Sequence, residues 1–113
     1  MQETFSIEQT FFTGRPALEW LKQESNRLII IKFVAPYCPS CKTLQPVLKQ
    51  IAEDNPGKLH LVELDMTEEP ELAIEFGVRS APTVVLIKDR QTLTQISGLQ
   101  PKKQYTENIL SAL

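Results

Sequence analysis

Apolar residues along this chain fall into two kinds of block, short unbroken runs and stripes that repeat every three to four positions, and the two kinds alternate. The clearest run is Leu28–Val34, rich in β-branched side chains and interrupted only at Lys32, which predicts a central strand covered on both faces. From Pro39 to about Asp54, the positions Leu44, Val47, Leu48, Ile51 and Ala52 share one face at helical spacing and predict an amphipathic helix. Pro46 lies inside that helix and removes a backbone hydrogen bond, so a bend is expected there. Asn55, Pro56 and Gly57 end it.

The other blocks are shorter. Residues 4–7 predict an edge strand. Thr13, Gly14, Arg15 and Pro16 make a turn, after which Ala17, Leu18, Trp20 and Leu21 line one side of a helix with Pro16 near its start. Residues 59–64 predict a strand, and residues 67–76 a helix with early acids Glu68, Glu69 and Glu71 and a stop at Gly77. Residues 83–87 read as a buried strand, 88–91 as a polar turn and 92–96 as its hairpin partner. Pro101 opens a last helix with Tyr105, Ile109 and Ala112 on one stripe. The predicted order, β-α-β-α-β-α-β-β-α, implies an α/β fold with a mixed sheet and helices on both faces.

Composition narrows the class. A length of 113 residues with 42% apolar content suits one domain spanning residues 1–113. The net charge of -2, from 12 basic and 14 acidic residues spread along the chain, supplies no basic field for nucleic acid or an anionic membrane. Residues 1–10 lack a basic segment followed by an apolar one, and no apolar run approaches bilayer length. The expected setting is therefore cytoplasmic or an equivalent reducing space. A lone cysteine pair in a small domain there is catalytic or metal-binding more readily than a structural staple.

The pair is Cys38 and Cys41, separated by Pro39 and Ser40, directly after the long apolar run and at the mouth of the long predicted helix. Unpaired N–H groups and the positive end of the helix dipole favour a thiolate at Cys38, the expected nucleophile. Cys41 is in register with Leu44 and Leu48, on the buried side, where it can resolve a mixed disulfide formed by Cys38. Pro39 fits the first helical position, and Ser40 leaves a donor near the sulfurs. The competing readings are half of a zinc site and a structural disulfide. Zinc wants four ligands, and beyond the cysteines the chain offers His60 and carboxylates, with His60 on a different element. No metal site is expected.

With these residues in view, nearly the whole chain resembles the thioredoxin family. The resemblance rests on Phe33, Val34, Ala35, Pro36 and Tyr37 before the dithiol, on Cys38 to Cys41 and Lys42, on Pro46 within the helix, on Ala81-Pro82-Thr83 before a strand, and on Gly98 before the last helix. The stretch Ile96 to Leu99, with Lys102, Lys103 and Tyr105, is similar to the thioredoxin domain fused to NADPH-thioredoxin reductase in oxygenic phototrophs. The resemblance implies a thioredoxin fold, a three-layer α/β/α arrangement of about five strands and four helices. It implies a cis bond between Ala81 and Pro82. It also implies a substrate groove lined by Tyr37, Pro39, Ser40, Ser80, Ala81, Pro82, Ser97, Gly98 and Leu99. By the same resemblance the chain is a thiol-disulfide oxidoreductase with no bound cofactor beyond its Cys38–Cys41 disulfide. It would be recharged by a flavin-dependent or ferredoxin-linked thioredoxin reductase, would act on targets such as peroxiredoxins, and would work as a monomer.

Three positions depart from the family pattern. Tyr37 stands where tryptophan is usual, and Pro39-Ser40 replaces Gly-Pro, changes that bear on partner choice and redox poise. Lys32 stands where the family carries a buried aspartate that handles the proton of the resolving thiol. The place of that aspartate's partner lysine falls at Leu61, with Glu63 one side-chain period further along. Lys32 is then either a third catalytic group, partly buried with a lowered pKa, with Glu63 as a candidate neighbour, or a chain that snorkels to solvent and leaves the proton to water. Phe11 and Phe12 are open to two uses, a docking patch or packing under the first helix. Two rival functions also stay open. One is a glutaredoxin-like thiol transferase, since Cys-Pro-x-Cys is that family's pattern too. The other is a docking module with little redox activity.

Overall fold

The computed structural model describes residues 4–113. Its elements run β1 (Phe11–Thr13), α1 (Arg15–Glu24), β2 (Leu28–Val34), α2 (Pro39–Asp54), β3 (Leu59–Asp65), α3 (Pro70–Glu75), β4 (Thr83–Lys88), β5 (Gln91–Ser97) and α4 (Lys102–Ala112). The strands form one sheet in the order β1-β3-β2-β4-β5. β1, β3 and β2 are parallel, whereas β4 and β5 run antiparallel to their neighbours. This is the expected mixed five-stranded sheet with four helices.

Alternation along β2 divides the core between two faces. Ile29, Ile31 and Phe33 join Leu18 and Leu21 of α1 and Leu72 of α3 on one side of the sheet. Leu28 and Ile30 join Leu44, Leu48 and Ile51 of α2 and Tyr105 and Ile109 of α4 on the other. Both faces of β2 are buried, which explains its near-continuous apolar sequence. By the same alternation Lys32 belongs to the face covered by α2. The long helix continues through Pro46.

Two expected boundaries are corrected. The first strand is Phe11–Thr13, and residues 4–7 form no strand. β1 owes its place to pairing with β3, where the Leu61 amide donates to the Thr10 carbonyl at 2.7 Å and Phe12 is buried. Phe12 thus packs in the core, with Phe5 and Trp20 against it, while Phe11 is partly exposed. The third helix begins at Pro70 instead of residue 67. The Asp65 carboxylate accepts the Thr67 N–H at 2.8 Å and the Thr67 hydroxyl at 2.6 Å, holding a turn there. The residue before a proline also resists helical geometry, so the helix starts at the proline itself.

Candidate active site

The carboxyl ends of β2 and β3 lie at one edge of the sheet, together with the start of β4 and the end of β5, because Phe33 pairs with Thr83 and Thr83 with Ser97. Loops leaving that edge carry nearly every residue singled out from the sequence. Crevices at the carboxyl ends of strands are where open α/β sheets bind their ligands.

Cys38 caps α2. Its backbone is extended, Pro39 takes the first turn, and the Cys41 amide donates to Cys38 Sγ at 3.1 Å. A sulfur held this way receives a helix N-terminal N–H and the positive end of the dipole, an arrangement that favours negative charge on it. Cys38 and Cys41 are joined as a disulfide with Cα atoms 5.3 Å apart. Cys38 is half-buried and Cys41 buried, on the stripe that Leu44 and Leu48 continue into the core. One residue of the pair is partly open to solvent while the other is shielded.

Tyr37 precedes the pair in a left-handed conformation, φ 57, that bulky residues rarely adopt, and its side chain is fully exposed. Pro39 is exposed and Ser40 half-buried at the helix mouth.

Lys32 is 2% exposed, so the solvent-snorkelling reading is overturned. Its ammonium lies 3.7 Å from Glu63 Oε1. Burial holds its pKa below the usual lysine range, against the opposing pull of the Glu63 charge and hydrogen bond. The sheet register also corrects the expected neighbour. Lys32 stands opposite Glu63, and Leu61 stands opposite Ile30. Lys32, Glu63 and Gln45 line a cleft of about 280 Å³ together with Tyr37, Cys38 and Cys41.

Ala81, Pro82 and Gly98 do not line that cleft. They sit next to Thr83 and Ser97, at the same sheet edge. The Ala81–Pro82 bond is cis, and the Gly98 amide donates to the Pro82 carbonyl at 2.8 Å. Gly98 has φ 74, a conformation glycine adopts without strain. The buried Tyr105 hydroxyl donates to the Gly98 carbonyl at 3.0 Å and accepts the Gln100 amide at 3.1 Å, fixing the loop before α4. Sequence reading placed Tyr105 in the core but missed this role. Its signal was a tyrosine at a position where the stripe needs only an apolar ring. Among the described residues, no group of three or more histidine, cysteine or carboxylate side chains is placed to hold a metal.

Comparison with known proteins gives consistent matches. The family model described as Thioredoxin matches residues 17–111. The chain is 37% identical over 109 residues to NADPH-dependent thioredoxin reductase 3 of Arabidopsis thaliana, a match that covers 96% of this chain and 21% of that protein. It is 34% identical over 86 residues to the thioredoxin of Chlorobaculum thiosulfatiphilum, covering 76% of this chain and 80% of that one. Among solved structures, a mutant thioredoxin from Halobacterium salinarum superposes with TM-score 0.80 at 28% identity, covering 97% and 96% of the two chains. A chain from a study of the thiol-resolving mechanism in yeast mitochondrial 1-Cys peroxiredoxin via glutathione/thioredoxin systems superposes with TM-score 0.76 at 29% identity, covering 91% and 94%.

Proposed function

This chain belongs to the thioredoxin family, and from that premise we propose that it reduces protein disulfides through Cys38 and Cys41, as one domain over residues 1–113. The observation that carries the reading is the Cys41 amide aimed at Cys38 Sγ where α2 begins. In the reduced protein, the Cys38 thiolate attacks a target disulfide and releases one target sulfur as a thiolate. Cys41 then attacks Cys38, closing the ring and releasing the second target sulfur. Two electrons pass to the target, and the only redox group needed is the dithiol.

Lys32 is the third group and handles the proton that Cys41 must lose, a role supported by the cleft that both residues line. Tyr37, Pro39 and Ser40 on one side, and Ala81, Pro82 and Gly98 on the other, receive the extended target segment. The Gly98–Pro82 hydrogen bond, which ties the second side together, supports that arrangement. The electron donor is a thioredoxin reductase. The likeness to 21% of an NADPH-dependent reductase supports a flavin-dependent one, and the peroxiredoxin study supports peroxiredoxins among the acceptors. A dithiol that must be returned to its reduced form suits the reducing cytoplasm, and the domain works there as a monomer.

Insulin reduction tests the proposal, driven either by NADPH with a thioredoxin reductase or by glutathione. Turnover with the reductase that vanishes in Cys38→Ser, and disulfide-linked targets accumulating on Cys41→Ser, are the expected results. Turnover surviving in Cys38→Ser would overturn the mechanism, and turnover with glutathione alone would make the chain a thiol transferase.

A further inference from the structure

Lys32, Glu63 and Gln45 border two clefts at once. One holds the sulfurs. The other, of about 300 Å³, lies between β1, β3 and α2, walled by Phe11, Phe12, Leu48 and Leu61. The buried amine and its carboxylate partner therefore form a partition between the dithiol and a second opening on another part of the surface. The carboxylate is the wetter member, since the Glu63 side chain is 43% exposed against 3% for Lys32.

That arrangement meets a physical need. When Cys41 resolves the mixed disulfide, a target is docked over Cys38, and the buried Cys41 must lose a proton with its near opening covered. We infer that the outer cleft is the exit for this proton, with Glu63 as a positioning residue that holds the Lys32 amine and passes its proton to water. The inference rests on Cys41 being the resolving group. Lys32 takes the proton from the Cys41 thiol as it gives one of its own to the Glu63 carboxylate. The Cys41 thiolate forms the bond to Cys38, the bond from Cys38 to the target breaks, and the electron pair leaves on the target sulfur. Glu63 then releases its proton into the outer cleft, and the pair returns to its starting state. Other charges that line the clefts around the pair are Lys42 and Lys49 of α2, Asp65 at the end of β3, and Glu68 and Glu69 beyond it.

Rapid-quench mass analysis of the full chain tests this, following decay of the mixed disulfide across pH with a folded protein target and with the small disulfide dithiobis-nitrobenzoate. Glu63→Gln is expected to slow decay of the protein adduct about tenfold and to remove its pH inflection. The small adduct, which leaves the near opening wet, is slowed less, and Glu63→Asp recovers part of the rate. Leu61→Trp, which narrows the outer cleft and keeps both charges, is expected to slow the protein adduct in the same way. Parent-like decay and an unaltered pH profile for the protein adduct in Glu63→Gln and Leu61→Trp would overturn the inference. Absence of any adduct on Cys38 in the parent chain would instead overturn the dithiol reading beneath it.

Discussion

Lys32 and Glu63 face each other across neighbouring parallel strands, with the ammonium 3.7 Å from the carboxylate and all but 2% of the lysine buried. Burying an ammonium opposes folding unless its partner offsets the lost hydration, and here the partner is itself half in water. Lys32→Met should therefore stabilise the protein by about 1 kcal/mol, since the stranded carboxylate keeps its solvent. Urea unfolding at neutral pH measures this. A loss of stability of about 1 kcal/mol or more would mean that the ion pair is a net support. A gain in stability with slower resolution of the mixed disulfide is the signature of a group kept for chemistry.

His60 carries the clearest pH dependence of stability. The ring is buried, with Nδ1 2.8 Å from the Gln9 carbonyl and Nε2 2.8 Å from Ser25 Oγ. The Gln9 carbonyl can only accept, so Nδ1 carries the ring hydrogen; in the neutral ring Nε2 then accepts from the Ser25 hydroxyl, whose oxygen also accepts the Arg27 backbone N–H. Burial holds the His60 pKa below 6.5, opposed by the Gln9 carbonyl and helped by the Arg27 charge. The unfolded chain then takes up a proton before the folded one does. Stability is full above about pH 6.5 and falls as pH drops through the depressed folded value. Urea midpoints at about pH 7.5 and about pH 5 should show the fall, and His60→Phe should lack most of it. Equal slopes in parent and variant would refute this assignment.

Tyr37 should matter to partners and not to folding. Its ring is fully exposed, so Tyr37→Ala is expected to leave the unfolding midpoint within about 0.5 kcal/mol of the parent. With protein disulfides, KM should rise several-fold, whereas a small disulfide should be reduced at the parent rate. A parent-like KM for protein targets would remove Tyr37 from the groove.

What the chain reveals before folding depends on how local each cause is. β2 and α2 follow from their own periodicities, and the dithiol from its place between them, so the centre of the site was legible. β1 was not, because three residues carry no period of their own and are set by the free edge of β3. The start of α3 was hidden by the Asp65 side chain, which turns the backbone two residues on. The face of Lys32 followed from alternation, but its burial did not. That depended on Glu63, which register alone brings opposite. The bond from Tyr105 to Gly98 likewise joins a helix to the loop before it, a contact that one stripe of apolar positions cannot foretell.

The account depends most on the acidity of Cys38, and ultraviolet thiolate titration of the reduced Cys41→Ser variant measures it directly. A Cys38 pKa well below the free-thiol value of about 8.5, with alkylation of Cys38 abolishing insulin reduction by the parent protein, is the predicted result. A value at or above about 8.5, with turnover surviving that alkylation, would contradict it.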